Sequence, residues 1–223
     1  MPQNNNQYDK AGIDNNTIVE NKINNESTQY IAKYNAKWSD EHDKILIEWA
    51  DKAICYRWLH SESHTNYTFR NRWFTIPVIV MSTLTGTANF AQERLPDLYK
   101  PWYSILIGSI NIFAGILTTI QQFLKIAELN ESHRISSISW DKFSRNLKLE
   151  LAKSREERMP PYQMLKLSKE EFDRLIEISP QIGKKTIQKF YTTFKNKPSF
   201  NELYKPEICN EIVSTKKDVK KSK

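Results

Sequence analysis

Two uncharged runs constrain this chain more than anything else in it. Residues 73–92, WFTIPVIVMSTLTGTANFAQ, hold no charge over twenty positions. Eight residues later, 101–124, PWYSILIGSINIFAGILTTIQQFL, hold none over twenty-four. A helix needs about 20 residues to cross a hydrocarbon core of roughly 30 Å, so each run is long enough. Aromatic residues stand at three of the four ends (Trp73 and Phe74, Trp102 and Tyr103, Phe123), where amphipathic rings suit the bilayer interface. The expectation is an all-α membrane protein, a two-span transmembrane hairpin with long helical extensions. The competing expectation is a pair of buried helices in a soluble helical domain.

The rest of the chain is polar, and the mean hydropathy of the whole is −0.64. The spanning part is therefore small. The net charge of +7 is uneven: residues 184–223 hold eleven lysines against Glu202, Glu207, Glu211 and Asp218, so the remainder is near neutral. Cys55 and Cys209 are far apart in unlike contexts and suggest neither a disulfide framework nor a zinc site. No apolar signal segment precedes the hairpin, which makes the first limb the expected targeting signal.

Residues 1–38 are Asn-rich and poor in apolar side chains, the composition of a disordered tail. A helix is expected to begin near Trp38-Ser39-Asp40-Glu41, with Ser39 as cap and acids at the positive end. Leu46, Ile47, Trp49, Ala50, Ala53, Ile54 and Trp58 then form an apolar stripe too charged around its rim to span. It calls for a partner helix or a membrane surface. His60 and His64 share a face at metal-ligand spacing, but no third ligand is near, so they are expected as interfacial histidines.

Within the limbs, small and polar residues recur at helical spacing. The first limb carries Ser82, Gly86 and Asn89; the second carries Ser104, Gly108, Asn111, Gly115, Thr118 and Gln122 at steps of 4, 3, 4, 3 and 4. Such a stripe serves close helix packing, where small residues admit a neighbouring backbone and polar ones hydrogen-bond across the contact. It also suits a pore lining. One hairpin cannot surround water, so a pore requires a homo-oligomer. Ile105, Leu106, Ile110, Ile112, Phe113, Ile116 and Leu117 make the wider face, suited to lipid.

Arg57, Arg70 and Arg72 precede the first limb, and Lys125, Arg134, Lys142 and Arg145 follow the second, against Arg94 and Lys100 in the connection. By the positive-inside rule both termini are cytosolic, and the sequons at Asn15, Asn25, Asn66 and Asn130 stay unglycosylated. Residues 125–158, without Gly or Pro, predict a long helix continuing from the span and paired with the helix before the first limb. Residues 154–158 look like a solvated charge run, and Pro160-Pro161 closes a unit spanning 39–158. Ser168 to Glu171 reads as a capping box. Ser179-Pro180 reads as a cap with proline at N1, opening a basic helix from Gln181 to about Phe194. Its Lys184, Lys185 and Lys189 among aromatics favour anionic headgroups over nucleic acid. Residues 159–223 form a basic C-terminal segment with short helices and a disordered end.

No nucleophile elbow, phosphate loop or metal cluster is visible, so neither enzyme nor cofactor is expected. In layout, Glu41 to Arg72, the two spans, and the stretch from Gln121-Gln122-Phe123 through Leu151 (with Trp140-Asp141-Lys142-Phe143 and 147–151) resemble the bacterial SLATT superfamily and the related DUF4231 type. The resemblance covers roughly residues 40–160. It implies a two-span membrane protein of the kind found beside nucleotide-sensing immunity modules and thought to act as pore-forming effectors, although no sensor is fused here. Proteins of large DNA viruses resemble the same layout. They imply a structural role in a virion's internal membrane, with the basic tail holding capsid or another partner. A pore-forming oligomer, a structural membrane anchor and a soluble helical protein thus stay open from sequence.

Overall fold

The computed structural model describes residues 37–209 and is all-α. The Asn-rich head up to residue 36 and the terminal stretch from 210 lie outside it. Five helices follow in order: α1 (Asp40–Ala91), α2 (Lys100–Phe123), α3 (Ile126–Ala152), α4 (Pro161–Ile178) and α5 (Lys184–Phe194). Short 3-10 turns at Gln92–Arg94, Pro198–Phe200 and Glu207–Cys209 complete the set.

Helix α1 runs unbroken for 52 residues, far beyond an ordinary globular helix. Ser39 opens it as a capping box: its Oγ accepts from the His42 amide at 3.4 Å, and His42 Nδ1 accepts from the Ser39 amide at 3.3 Å. Asp40, Glu41 and Asp43 fill the first turn and complement the dipole. Because the helix is continuous, Pro77 lies in its interior rather than in a first turn. There the ring removes one main-chain hydrogen bond and crowds the carbonyl one turn back.

The first part of α1 pairs with α3, as the apolar stripes predict, and the second part pairs with α2. The α1–α3 pair is cemented by Leu46, Ala50, Ala53 and Tyr56 against Trp140, Phe143 and Leu147, joined by Leu175 from α4. Trp140 is fully buried. It stacks on Tyr56 at 4.6 Å between centroids, meets Phe143 and Phe172 edge-on, and donates its indole N–H to Ser179 Oγ at 3.0 Å. A buried indole must find such an acceptor, and this one ties the end of α4 to the core.

Several expectations are corrected. The second span and α3 are not one helix. Lys125 takes a left-handed conformation, φ 48°, between Phe123 and Ile126. A non-glycine residue there costs about 1 kcal/mol or more, and the break re-aims the chain as it leaves the span. Helix α3 ends at Ala152, and the 154–158 run is not simply solvated. Arg158 donates to Asp43 at 2.7 Å and to the Leu151 carbonyl at 2.7 Å, and lies 5.3 Å from the Trp38 ring. Arg155 bonds Asp40 and Asp43 at 2.5 and 2.6 Å. Burial would raise Asp43, but the two guanidiniums outweigh it and hold its carboxyl below the usual range. Pro161 stands at the first turn of α4. Ser168 sits buried in mid-helix and caps nothing. Ser179 ends α4, and α5 begins four residues after Pro180, behind Gly183.

The chain after residue 160 folds back. Leu175 joins the main core, while Phe190 and Phe200 pack with Cys55, Leu59 and Cys209 in a second cluster. The two cysteines therefore share one environment after all, as free thiols. Burial pushes Cys55 up to about 12 and Cys209 up to about 11, so both stay protonated and unreactive at neutral pH.

Candidate functional site

The hairpin of α1 and α2 turns its apolar side chains outward. Phe90, Trp102 and Phe123 are 86, 77 and 84 % exposed, and Ile79, Leu84, Ile105, Ile112, Phe113 and Ile116 are exposed with them. Thr85 and Ala114 are the only fully buried residues of the two limbs. The helices of a soluble core would show the reverse. Two helices long and apolar enough to cross a membrane are thus present, and nearly all their surface is bare. A soluble monomer rarely exposes apolar area on this scale.

Serine and threonine hydroxyls inside the limbs bond back to their own helix. Thr83, Thr85, Thr87, Ser109, Thr118 and Thr119 each donate to a carbonyl one turn earlier, at 2.8 to 3.0 Å. That arrangement suits a medium without water, where every polar group needs an internal partner.

The seam between the limbs is narrow. The two helices pack together there, and Met81, Thr85 and Ala88 of α1 and Tyr103, Ile107, Ile110, Ala114 and Leu117 of α2 are among their buried or half-buried residues. Tyr103 closes it near the connection, donating its hydroxyl to the Ala88 carbonyl at 2.9 Å. Gln121 closes it at the other end, donating to Asn71 Oδ1 at 2.8 Å and Thr75 Oγ1 at 3.0 Å.

The small and polar stripes are not this seam. Ser82, Gly86 and Asn89 are exposed, as are Ser104, Asn111, Gly115 and Gln122; Gly108 and Thr118 are half-covered. A Cβ added at Gly86, Gly108 or Gly115 would meet no atom within 4 Å. Among the described residues, the side chains of Ser82, Asn89, Ser104, Asn111 and Gln122 make no hydrogen bond within the chain. Both seams, 81-85-88 and 103-107-110-114-117, lie one residue before the stripes and repeat at the same step. Ile110 and Leu117, read as part of the wide outer face, are half-buried.

His60 is corrected as well. It is not interfacial but 1 % exposed between α1 and α3, with Nδ1 at 2.9 Å from His133 Nδ1. The contact needs one imidazole as donor and the other as acceptor, so the accepting ring is neutral. Burial, reinforced by the partner ring, holds His60 down at about 3, and burial with His64 nearby holds His133 at about 4. Neither Nε2 has a partner. His64 faces the Asn130 carbonyl instead, at 3.1 Å. His133 stands 73 residues away, in a stretch without metal spacing, so no local pattern could have paired it with His60.

Lys184, Lys185 and Lys189 lie on the first two turns of α5, against α1. Lys189 pairs with Glu62 at 2.5 Å, while Lys184 and Lys185 are exposed and have no acidic partner among the described residues.

Comparison with known protein families, with curated proteins and with solved structures finds no match to this chain.

Proposed function

We propose that this chain is an oligomeric two-span integral membrane protein. In this reading the outer stripe, residues 104–122 of α2, is the contact between copies and, in the closed ring, borders a water path. One observation carries it: Asn111 stands in the middle of the second limb, exposed and without a hydrogen-bonding partner, on the same face as Gly108 and Gly115. A carboxamide left bare in hydrocarbon costs several kcal/mol by order of magnitude. A second copy or a column of water relieves that cost, and the glycines let another backbone approach. The seam inside the hairpin uses other residues, so the stripe is free to do this.

The orientation follows from charge. The connection at 93–100 lies at one end of the hairpin and the α1–α3 base at the other. Arg70, Arg72, Lys125 and Arg134 flank the base end, which by the positive-inside rule supports a cytosolic base. The resemblance in layout to SLATT-type two-span proteins is in keeping with the same pore-forming class.

The test is reconstitution of the full chain. A closed ring of four or more copies in nanodiscs, with ion flux from liposomes, is the expected result. Asn111→Leu and Gly115→Leu should each suppress flux and shift the ring toward smaller species. A strictly monomeric protein, or flux indifferent to both substitutions, defeats the reading.

A further inference from the structure

Resting on the membrane reading above, we infer that a cleft between α1 and the start of α5 binds the phosphate group of an anionic phospholipid, held by Arg70, Lys184 and Lys185. The cleft encloses about 430 Å³, in the range of small-ligand sites. Its walls come from α1, between Ser63 and Arg70, and from Gly183 to Lys189.

The direction of α5 makes this cleft basic at the right depth. Phe194 meets Trp58 at 5.3 Å between ring centroids, Lys189 meets Glu62, and Thr186 meets Ser63 at 3.5 Å. Residue numbers fall along α5 as they rise along α1, so the two helices are antiparallel. The N-terminus of α5 therefore points toward the hairpin. No side chain caps that end, and while the Thr186 and Ile187 amides donate to the Gly183 carbonyl, those of Lys184 and Lys185 have no acceptor within the helix, which adds partial positive charge to the two lysines. Arg70 completes the set from α1, its guanidinium 5.6 Å from the Tyr67 ring.

Charge within the cleft is one-sided. Glu62 is spent on Lys189. Arg70, Lys184 and Lys185 have no carboxylate partner among the described residues. Three cations and the start of α5 line a volume that none of the described residues fills.

Depth identifies the ligand. Arg70 precedes Trp73, where the uncharged run begins, by three residues, or roughly 4–5 Å along a helix. Phe69 and Trp73, stacked at 6.3 Å and exposed, mark the interface beside it. A phosphate at that level belongs to a headgroup whose acyl chains can follow the apolar wall of α1. A soluble phosphate ester has the same charge but would forgo that wall.

The experiment uses the full chain, purified from vesicles of mixed phosphatidylcholine and phosphatidylglycerol, with retained lipid counted by native mass spectrometry. Wild type should retain phosphatidylglycerol over phosphatidylcholine at least about fivefold beyond the input ratio, since even one basic residue near an anionic surface contributes about fivefold. The combined variant Arg70→Gln, Lys184→Gln, Lys185→Gln should fall to parity. A charge-matched control, Lys142→Gln, Lys148→Gln, Lys166→Gln, whose residues are exposed away from the cleft, should keep the enrichment. Circular dichroism of each variant checks that helix content is unchanged. Enrichment that survives the cleft variant, or falls equally in the control, overturns the site. Glycerol phosphate displacing the lipid at matched concentration overturns the lipid as ligand in favour of a soluble phosphate ester. Failure of wild type to enter vesicles of phosphatidylcholine alone strikes the membrane reading itself, a result separable from all of these.

Discussion

The base of this protein and its hairpin are built from the same continuous helix by opposite rules. Between Leu46 and Ser63, α1 buries large apolar side chains against α3 and shows water its charges. Between Trp73 and Ala91 the same helix buries little more than Thr85 and shows the outside its isoleucines, leucines and aromatics. The backbone geometry does not change at the boundary. What changes is the surface, charged along the base and apolar along the hairpin, whose two helices are long and apolar enough to cross a membrane.

That contrast can be broken most sharply in the base core. Trp140→Ala should destabilise the base by about 3–5 kcal/mol, read as a lower denaturation midpoint in detergent. Trp102→Ala, at an exposed ring in the hairpin, should leave that midpoint within about 0.5 kcal/mol of wild type. Similar losses for both would mean the hairpin ring is covered by the protein itself.

Next in size is a charge on the hairpin exterior. Ile112→Lys should oppose insertion by roughly 2.5–3.5 kcal/mol, measured as the fraction of chain resisting carbonate extraction. Leu149→Lys, equally exposed but on α3, should be extracted no differently from wild type. If Ile112→Lys inserts normally, the outward face does not meet lipid.

Acid should act on the base alone. His60 and His133 are held below their usual range, so the folded state keeps them neutral while the unfolded chain takes up protons below about 6.5. Their contribution is complete above pH 6.5 and is lost as pH falls toward 4 and then 3. Between pH 7 and 5 the loss is on the order of 2 kcal/mol per imidazole. Tyr56 and Tyr67 flank the pair, and His64 is the remaining titratable ring beside it. The variant His60→Phe with His133→Leu should flatten the pH dependence of the melting temperature over that interval. An unchanged slope would assign it elsewhere, Asp43 being the obvious candidate at lower pH, where protonation loosens its hold on Arg155 and Arg158.

The smallest effect on the single chain separates two adjacent residues. Ala114→Leu overfills the seam and should cost about 1–3 kcal/mol. Gly115→Leu meets open space and should change the monomer by less than about 1 kcal/mol. Its consequence should appear in self-association, by analytical ultracentrifugation in detergent. Equal costs would mean the two positions share one contact.

Much of the fold was legible because its signals are local. The uncharged runs meet the helix ends at Ala91, Lys100 and Phe123 to within a residue, Ser39 with its acids set the start of α1, and apolar spacing paired α1 with α3. Signals that depend on distant partners misled. Ser168 and Ser179 have the composition of N-caps, yet Ser168 lies buried inside α4 and Ser179 closes that helix, while the chain after residue 160 returns Leu175 and Phe190 to the core. The Arg158 clasp and the His60–His133 contact join residues 115 and 73 positions apart, and neither has a signature in the intervening sequence.

What the sequence determined by itself is periodicity: two limbs of spanning length, and on the second a face of small and polar residues. It could not determine the direction of that face. The series 103-107-110-114-117 and 104-108-111-115-118 repeat at the same step and differ by one residue, a turn of about 100° around the axis. Either could have been the seam. Tertiary structure decided, by fixing α1 against α3 at one end and bonding Gln121 to Asn71 and Thr75 there. That rotation sets Ala114 inward and leaves Asn111 and Gly115 on the outside, because a helix docked at its base can turn only one face to its neighbour.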